Sequence, residues 1–237
     1  HLVLRNLPGV AATRVILVGL GKQESYNAKV HAGAEQTFAN YCAQARLTEG
    51  VSTLASIECP DSTLRSRAQA CAIAAGQAVY RYDATFGKKD SKEQPKLKKI
   101  TVSVPRAQAA QAQQGLAAGR AIAKGMQLAR RLGDLPGNVC TPTYLGDTAK
   151  ELAREFKSLS ARVLNTKQIE ALKMGSFLSV AKGSNQPPAF IELKYNPAGA
   201  RGAKAAKAPI VLVGKGITFD AGGISLKPAA NMDEMKY

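Results

Sequence analysis

Short apolar runs alternate along the chain with longer segments in which apolar residues recur at helical spacing, and this alternation limits the folds open to it. The run at residues 14–19 is β-branched and ends in glycine, which is typical of a buried parallel strand followed by a turn. The other elements predicted in the first half are strands at 1–4, 51–57 and 100–104, a helix at 25–45, and a helix opened by Asp61 or Ser62. This order predicts an α/β fold with a mostly parallel sheet.

A long alanine-rich helix separates two differently patterned halves. Pro105 suits its first turn, and its length exceeds that of the usual globular helix. We therefore expect an N-terminal α/β domain at 1–104, a linker helix at 105–133 and the start of a larger α/β domain at 134–237. The elements predicted in the second half are helices at 144–158 and 168–174, strands near 163, at 189–195 and at 210–213, and an exposed hairpin loop at 196–208.

The chain is strongly basic, with 33 Lys and Arg against 17 Asp and Glu and a net charge of +16. Such a balance favours contact with polyanions. Residues 87–99 concentrate six lysines against two acids, but lysine runs flanked by Gly and Pro are more often solvated loops. No aromatic residue interleaves with this run, so base stacking is weakly supported. A solvated loop is the favoured interpretation, and nucleic-acid binding is the alternative.

The cysteine and histidine content excludes the common zinc sites. The four cysteines show no CxxC spacing and are expected to be buried thiols of a reducing compartment; they are Cys42, Cys59, Cys71 and Cys140. With only His1 and His31, the chain cannot form a histidine-rich site or an HExxH motif. His31 lies in a helical segment and is expected to be an ordinary surface or packed histidine. Any metal would therefore need oxygen ligands or an unusual donor.

Three further classes of protein are disfavoured. No apolar run approaches the roughly 20 residues of a membrane span, and we find no targeting segment, so we expect a cytoplasmic protein. The glycines at 19–21 lack the third glycine of a dinucleotide-binding turn and the Ser or Thr of a phosphate-binding loop. Residues 223–227 match a serine-hydrolase elbow only in part, because its closing glycine is absent.

The most informative segment is 213–237, where glycines surround Lys215 and Asp220. It follows a predicted buried strand, and open α/β sheets place their sites at the carboxyl ends of strands. A buried lysine is costly to keep charged and unpaired, so a neutral Lys215 amine is a candidate metal ligand, and Asp220 has two oxygens that can bridge two ions. From the residues alone, a lysine–aspartate ion pair beside a glycine loop is the more frequent arrangement.

The same segment carries a family resemblance. The string Val-Gly-Lys-Gly-Ile-Thr-Phe-Asp-Ala-Gly-Gly-Ile-Ser-Leu-Lys-Pro at 213–228, followed by Asn-Met-Asp-Glu-Met-Lys-Tyr at 231–237, resembles the signature of the leucyl aminopeptidases, also called cytosol aminopeptidases. This signature is long and highly specific. Similarity extends to residues 128–142 and 180–184 and is weaker toward the N-terminus.

The resemblance implies a di-metal exopeptidase, usually a hexamer, that releases N-terminal residues such as leucine from peptides. It implies that Lys215 binds the exchangeable metal and that Asp220 bridges both ions. Lys227 would polarise the scissile carbonyl and stabilise the oxyanion, and Met235 would line the pocket for the N-terminal side chain. Two divalent ions, manganese or zinc, would bind the free α-amine and activate a bridging water, with bicarbonate as a base.

The sequence departs from the family pattern at its end. The family signature continues from Lys-Tyr into a metal-binding aspartate. A later Asn-Thr-Asp-Ala-Glu-Gly-Arg motif supplies another aspartate, a bridging glutamate and the arginine that holds bicarbonate. None of these is among the 237 residues. We therefore expect a fragment of the family's chain, inactive alone. Some bacterial members also act as DNA-binding accessory proteins, so DNA binding remains the alternative function.

Overall fold

The computed structural model describes residues 1–86, 95–196 and 208–236. They divide into two compact units, His1–Arg131 and Leu132–Tyr237. The elements are, in chain order, β1 (Leu2–Arg5), β2 (Arg14–Leu17), α1 (Ala28–Gln44), β3 (Glu49–Ser52), α2 (Leu64–Val79), β4 (Lys99–Val102), α3 (Ala109–Asp134), α4 (Pro142–Glu155), β5 (Leu159–Leu164), α5 (Thr166–Ala171), α6 (Gly175–Ala181) and β6 (Phe190–Tyr195). The predicted α/β class is confirmed. The domain boundaries at 104 and 133 stay a prediction.

The structure also bears on the membrane spans, the surface loops, the cysteines and His31 that the sequence analysis considered. No helix of the described ranges is long and apolar enough to cross a bilayer. Most of the lysine run at 87–99 and of the loop predicted at 196–208 lies outside the described residues. All four cysteines are buried free thiols, as expected, whereas the reducing compartment stays a prediction. His31 is a packed histidine and is 1% exposed.

The strands β1 and β2 form an antiparallel pair in which Leu2 lies opposite Leu17. The parallel arrangement expected for residues 14–19 is therefore wrong. Only residues 6–13 join the two strands, whereas a parallel pair needs a crossover of about a dozen residues or more. Asn6, at φ 51°, helps the chain to reverse direction within this short connection.

The strands β3 and β4 are a parallel pair, with Val51 opposite Thr101. Between them the chain passes through a 3-10 turn at Leu54–Ser56 and then through α2. This helix is the crossover that parallel pairing requires, so the predicted strand–helix–strand order is confirmed here. The strand predicted at 51–57 ends earlier because its second half forms the 3-10 turn.

Side-chain caps fix where α1 and α2 begin. The Asn27 side chain accepts a hydrogen bond from the first turn of α1, and Thr63 and Ser66 form a capping box at the start of α2. Asp61, which the sequence suggested as the opening residue of α2, instead accepts the backbone N–H of Ala28 at 2.7 Å. Asp61 thus ties the start of α1 to the segment that precedes α2.

Helix α3 packs closely along α2 through small residues. A Cβ on Gly119 would collide with the carbonyl oxygen of Gln69, so only glycine fits this approach. Farther along, Gln127 Nε2 donates a hydrogen bond to the carbonyl of Gly76 at 2.7 Å. The buried apolar cluster beside this contact consists of Ala55, Leu64, Ala68 and Ala112. The first unit is therefore held together by closely packed helices with small side chains between them.

The second unit begins with a capped helix on a two-stranded sheet. The Thr141 side chain caps α4, whose first residue is Pro142. The strands β5 and β6 pair antiparallel, with Val163 opposite Ile191. Gly146 of α4 lies against Val163, because a Cβ there would be 3.0 Å from the valine Cγ1. The helices and strands predicted for residues 144–195 are confirmed, with shifted ends.

The strand predicted at 210–213 is not formed. Ile210, Leu212 and Val213 are more than nine-tenths exposed, at 92%, 92% and 94%. Their segment pairs with no strand among the residues that the structure describes. A strand is stable only when its N–H and C=O groups find partners, so a β-branched sequence alone does not hold this segment in a sheet.

Candidate active site

Residues 214–231 form a loop in which glycines make the tight turns, and a 3-10 turn at Met232–Lys236 follows it. Gly222 and Gly223 adopt φ 91° and φ 63°, in the left-handed region that favours glycine. A Cβ on Gly222 would collide with the carbonyl oxygen of Ser225. The Gly-Gly pair of the sequence motif is therefore required for the backbone to fold back on itself.

This turn orients Asp220 through both its backbone and its carboxylate. Oδ1 accepts the backbone N–H of Gly222 at 2.9 Å, and the Asp220 N–H donates to the carbonyl of Met235 at 3.1 Å. The hydrogen bond from Gly222 and then the nearby Lys227 charge hold the pKa of Asp220 below its usual value, with a smaller contribution from Lys215. Asp220 is therefore a fixed carboxylate, ionised at neutral pH and suited to binding a cation.

Lys227 is the cation nearest to this carboxylate among the described residues. Its Nζ lies 3.5 Å from Asp220 Oδ2, and its backbone N–H donates to the carbonyl of Ala221 at 3.0 Å. Both side chains keep contact with solvent, 35% for the lysine and 56% for the aspartate. The lysine–aspartate pair that the residues alone favoured is thus present, but its lysine is Lys227 and not Lys215.

Lys215 and Met235 interact with Asp220 in different ways, the first through its charge and the second through a backbone hydrogen bond. Lys215 is exposed, so the expectation that burial makes its charge costly is wrong; the preceding segment lies at the surface and buries nothing. Lys215 still attracts Asp220 through its charge. Met235 is half-buried and meets Asp220 through its backbone carbonyl. The structure thus brings Asp220, Lys227 and Met235 together, with Lys215 acting electrostatically.

One contact of the site was not foreseen from the sequence. Gly137 lies against residues 218 and 219, since a Cβ there would be 3.2 Å from the Thr218 carbonyl oxygen and 3.1 Å from the Phe219 Cβ. The sequence indicated a family resemblance across residues 128–142 but assigned Gly137 no contact. This glycine was the available signal for a close backbone approach.

The donors in the loop fit a divalent metal in type but not in number. Asp220 supplies carboxylate oxygens, and Lys215 would supply an amine only after a bound cation displaces its proton, a mixed set suited to manganese or zinc. In the described parts of the chain, no three or more His, Cys, Asp or Glu residues gather as a group able to hold an ion. One carboxylate and one amine are too few for two ions, because even a zinc ion takes about four ligands.

Comparison with known proteins identifies the family of both parts of the chain. Residues 1–89 match the N-terminal domain and residues 127–237 the catalytic domain of the cytosol aminopeptidase family. A probable cytosol aminopeptidase of Bordetella avium is 66% identical over 239 residues, and one of Nitrosococcus oceani is 45% identical over 242. All of this chain is matched, but it spans only 47% and 46% of those relatives' lengths.

Solved structures give the same result. The bottromycin maturation enzyme BotP in complex with Mn matches with a TM-score of 0.77 at 28% identity, over 99% of this chain and 46% of that one. A mutant of tomato leucine aminopeptidase matches with a TM-score of 0.72 at 26% identity, over 94% of this chain and 42% of that one. Since both domain models match in chain order and the fold agrees, the chain belongs to the cytosol aminopeptidase family.

Proposed function

We propose that this chain contributes the N-terminal domain and the first part of the catalytic domain to a metal-dependent aminopeptidase. The enzyme would release N-terminal residues, leucine among them, from peptides. The observation that carries the proposal is the placement of Asp220 and Lys227 in one glycine-built loop, within the region that matches the family's catalytic domain.

Asp220 and Lys215 are the residues proposed to hold the metal. Asp220 is suited to this role because its hydrogen bonds to backbone groups fix the carboxylate and keep it ionised. Two divalent ions would supply Lewis acidity and a water that is nucleophilic at neutral pH. Manganese and zinc both accept such donors, and the Mn complex of BotP supports manganese.

Lys227 is proposed to stabilise the transition state. Its ammonium group lies beside the Asp220 carboxylate, with Nζ 3.5 Å from Oδ2. An ammonium group held there would offset the negative charge that develops on the scissile carbonyl oxygen, as an oxyanion-hole donor does. Because the ion pair is partly exposed, redirecting Lys227 toward a substrate costs little.

The remaining features of the proposal come from the family. They are a pocket for the N-terminal side chain with Met235 on its wall, bicarbonate as a base, a hexameric assembly and a cytoplasmic location. Peptides would be the substrates.

The basic charge of +16 favours a second candidate function, DNA binding, in which the surface lysines contact phosphates.

Metal dependence is the test of the main proposal. A full-length protein containing this chain is treated with a chelator and assayed on a chromogenic leucine amide, before and after addition of Mn or Zn. We expect activity to be lost on chelation and restored by either ion, with magnesium as the matched control ion. Full activity in protein shown by elemental analysis to be metal-free would refute the proposal. The 237-residue chain alone is expected to be inactive.

A further inference from the structure

Four polar side chains are buried together where α1, α2 and β3 meet in the first unit. Glu35 is 0% exposed, Ser52 and Cys71 are each 2% exposed, and His31 is 1% exposed. The Ser52 hydroxyl lies 3.1 Å and 3.0 Å from the two carboxyl oxygens of Glu35. The Cys71 thiol also hydrogen-bonds this carboxyl group. A glutamate buried this deeply is unusual and must be stabilised by its surroundings.

His31 connects this carboxyl group to Tyr26. The Tyr26 hydroxyl lies 2.8 Å from His31 Nδ1, while Nε2 lacks a hydrogen-bond partner within the described residues and lies 3.8 Å from Glu35 Oε1. The backbone carbonyl of Arg67 also faces the ring. In the neutral ring only one nitrogen carries the proton: when it is Nε2, which lies on the side of Glu35, Tyr26 donates to Nδ1, and when it is Nδ1, Tyr26 accepts.

Among the residues that the structure describes, no full positive charge would lie beside the ionised Glu35 carboxylate. Burial raises the pKa of Glu35 to about 7, and the hydrogen bonds from Cys71 and Ser52 limit the rise. Burial lowers the pKa of His31, so its ring is neutral when Glu35 titrates. The Arg67 guanidinium donates hydrogen bonds to carbonyl oxygens and not to Glu35. Its Nε lies 2.8 Å from the carbonyl oxygen of Ala55. The other titratable groups around the cluster keep their protons, because burial raises the pKa of each; they are Tyr26, Cys42 and Cys71.

A surface cavity borders the cluster. It has a volume of about 590 Å³ and is lined by Tyr26, Cys59 and Arg67, among others. Tyr26 is 9% exposed and contacts His31 from this side. Tyr26 is therefore the group of the cluster that borders this cavity, and His31 lies between it and Glu35.

We propose that Glu35, with Ser52, His31 and Tyr26, is a proton-linked switch: loss of its proton weakens the packing of α1 on α2 and β3. The protonated carboxyl group is neutral and hydrogen-bonded, so the three elements pack tightly around it. Within the described parts of the chain, the ionised group has only Ser52 and Cys71 as hydrogen-bond donors, and it favours conformations in which α1 moves away and water enters.

The sign of the effect follows from proton linkage. The folded pKa of about 7 lies above the ordinary 4.5, so the packed state binds the extra proton between these values. Packing is therefore fully stabilised below the lower value, weakens as the pH rises to about 7 and changes little above it. His31 acts oppositely below its ordinary 6.5, because its pKa is lowered. Comparison with Glu35→Gln, which keeps His31 and resembles the protonated carboxyl, isolates the contribution of Glu35.

The experiment measures local opening of α1 in the 237-residue chain by amide hydrogen exchange, corrected for intrinsic exchange rates. We expect the ratio of opening constants, wild type over Glu35→Gln, to rise about tenfold per pH unit from about pH 5 to pH 7 and then to level off. The exposed Glu24→Gln variant is the matched control and should give a constant ratio. A constant ratio for Glu35→Gln would overturn the proposal.

A second measurement does not depend on the folding of the glutamine variant. Infrared difference spectroscopy follows the carbonyl stretch of a protonated carboxyl group in the wild type and in Ser52→Ala. Because Ser52 donates to the ionised form, its removal should move the loss of this band to higher pH. A band lost at the ordinary pH of an exposed glutamate, or one that does not move in Ser52→Ala, would overturn the assignment to Glu35.

Discussion

The close contact between α2 and α3 predicts opposite effects for two glycine-to-alanine substitutions on the same helix. Gly119 is buried, and a Cβ there would collide with the Gln69 carbonyl oxygen and lie 2.7 Å from the Ala72 Cβ. Gly125 is exposed, and a Cβ there would meet nothing within 4 Å. Gly119→Ala therefore tests tertiary packing, and Gly125→Ala is its matched control for helix propensity.

The magnitudes follow from these distances. Alanine is favoured over glycine in a helix interior by about 1 kcal/mol, so Gly125→Ala should raise the free energy of unfolding by roughly that amount. At Gly119 the obstacle includes backbone, which cannot rotate away, so the two helices must separate. Overpacking costs about 1–3 kcal/mol, and we expect the upper end because both obstacles are rigid. After the gain in propensity, Gly119→Ala should lose about 2 kcal/mol, a difference of roughly 3 kcal/mol between the variants.

The assay is urea unfolding followed by the far-ultraviolet circular dichroism of the helices. Because the chain has two compact units, its unfolding need not be two-state, so hydrogen exchange of the α2 and α3 amides is measured as well. Gly119→Ala should lower the protection of both helices, whereas Gly125→Ala should leave α2 unchanged or better protected. Equal stability of the two variants would refute the close helix contact on which this reasoning rests.

Two further predictions concern the proposed functions. Lys227→Ala in the full-length enzyme should lower kcat by about 10²-fold or more while both metals remain bound, because the lysine is assigned to the transition state; loss of an ion by elemental analysis would move Lys227 into the ligand set. DNA binding should be weak, without sequence preference, and should fall with salt with a slope of about −0.9 per phosphate neutralised. Replacing the lysines Lys88, Lys89, Lys98 and Lys99 should weaken it and leave peptidase activity unchanged, whereas tight sequence-specific binding at physiological salt would show a larger nucleic-acid role.

Local patterns predicted the helices better than the strand pairings. Helical spacing located α1, α2 and α3 to within a few residues, because each helix buries a face that the spacing reveals. Strand pairing depends on what lies beside a strand, and residues 14–17 and 210–213 have the same β-branched character. The former pair antiparallel with β1 through a short connection, while the latter find no strand among the described residues. The composition of a strand does not specify its partner.

The buried cluster around Glu35 in the first unit could not be predicted from the sequence, for a related reason. His31 and Glu35 are four residues apart on α1, a spacing that in sequence indicates only an ordinary surface pair. Ser52 and Cys71, which hydrogen-bond Glu35, come from other elements far along the chain. Only the tertiary packing of α1 against α2 and β3 turns a common helical pair into a buried, proton-binding group.

The candidate site shows which part of an active site a local sequence can build. The hydrogen bonds that orient Asp220 come from Gly222 and Met235, and the lysine that pairs with it is Lys227, so all of these contacts lie within one loop and the 3-10 turn that follows it. A metal ion held by Asp220 and the Lys227 ammonium would compete for the same carboxylate, because both are attracted to its negative charge. In the proposed enzyme, Lys227 would therefore lose its present partner if Asp220 held an ion. The lysine would then be free to meet the negative charge that develops on the substrate carbonyl, which is the role proposed for it.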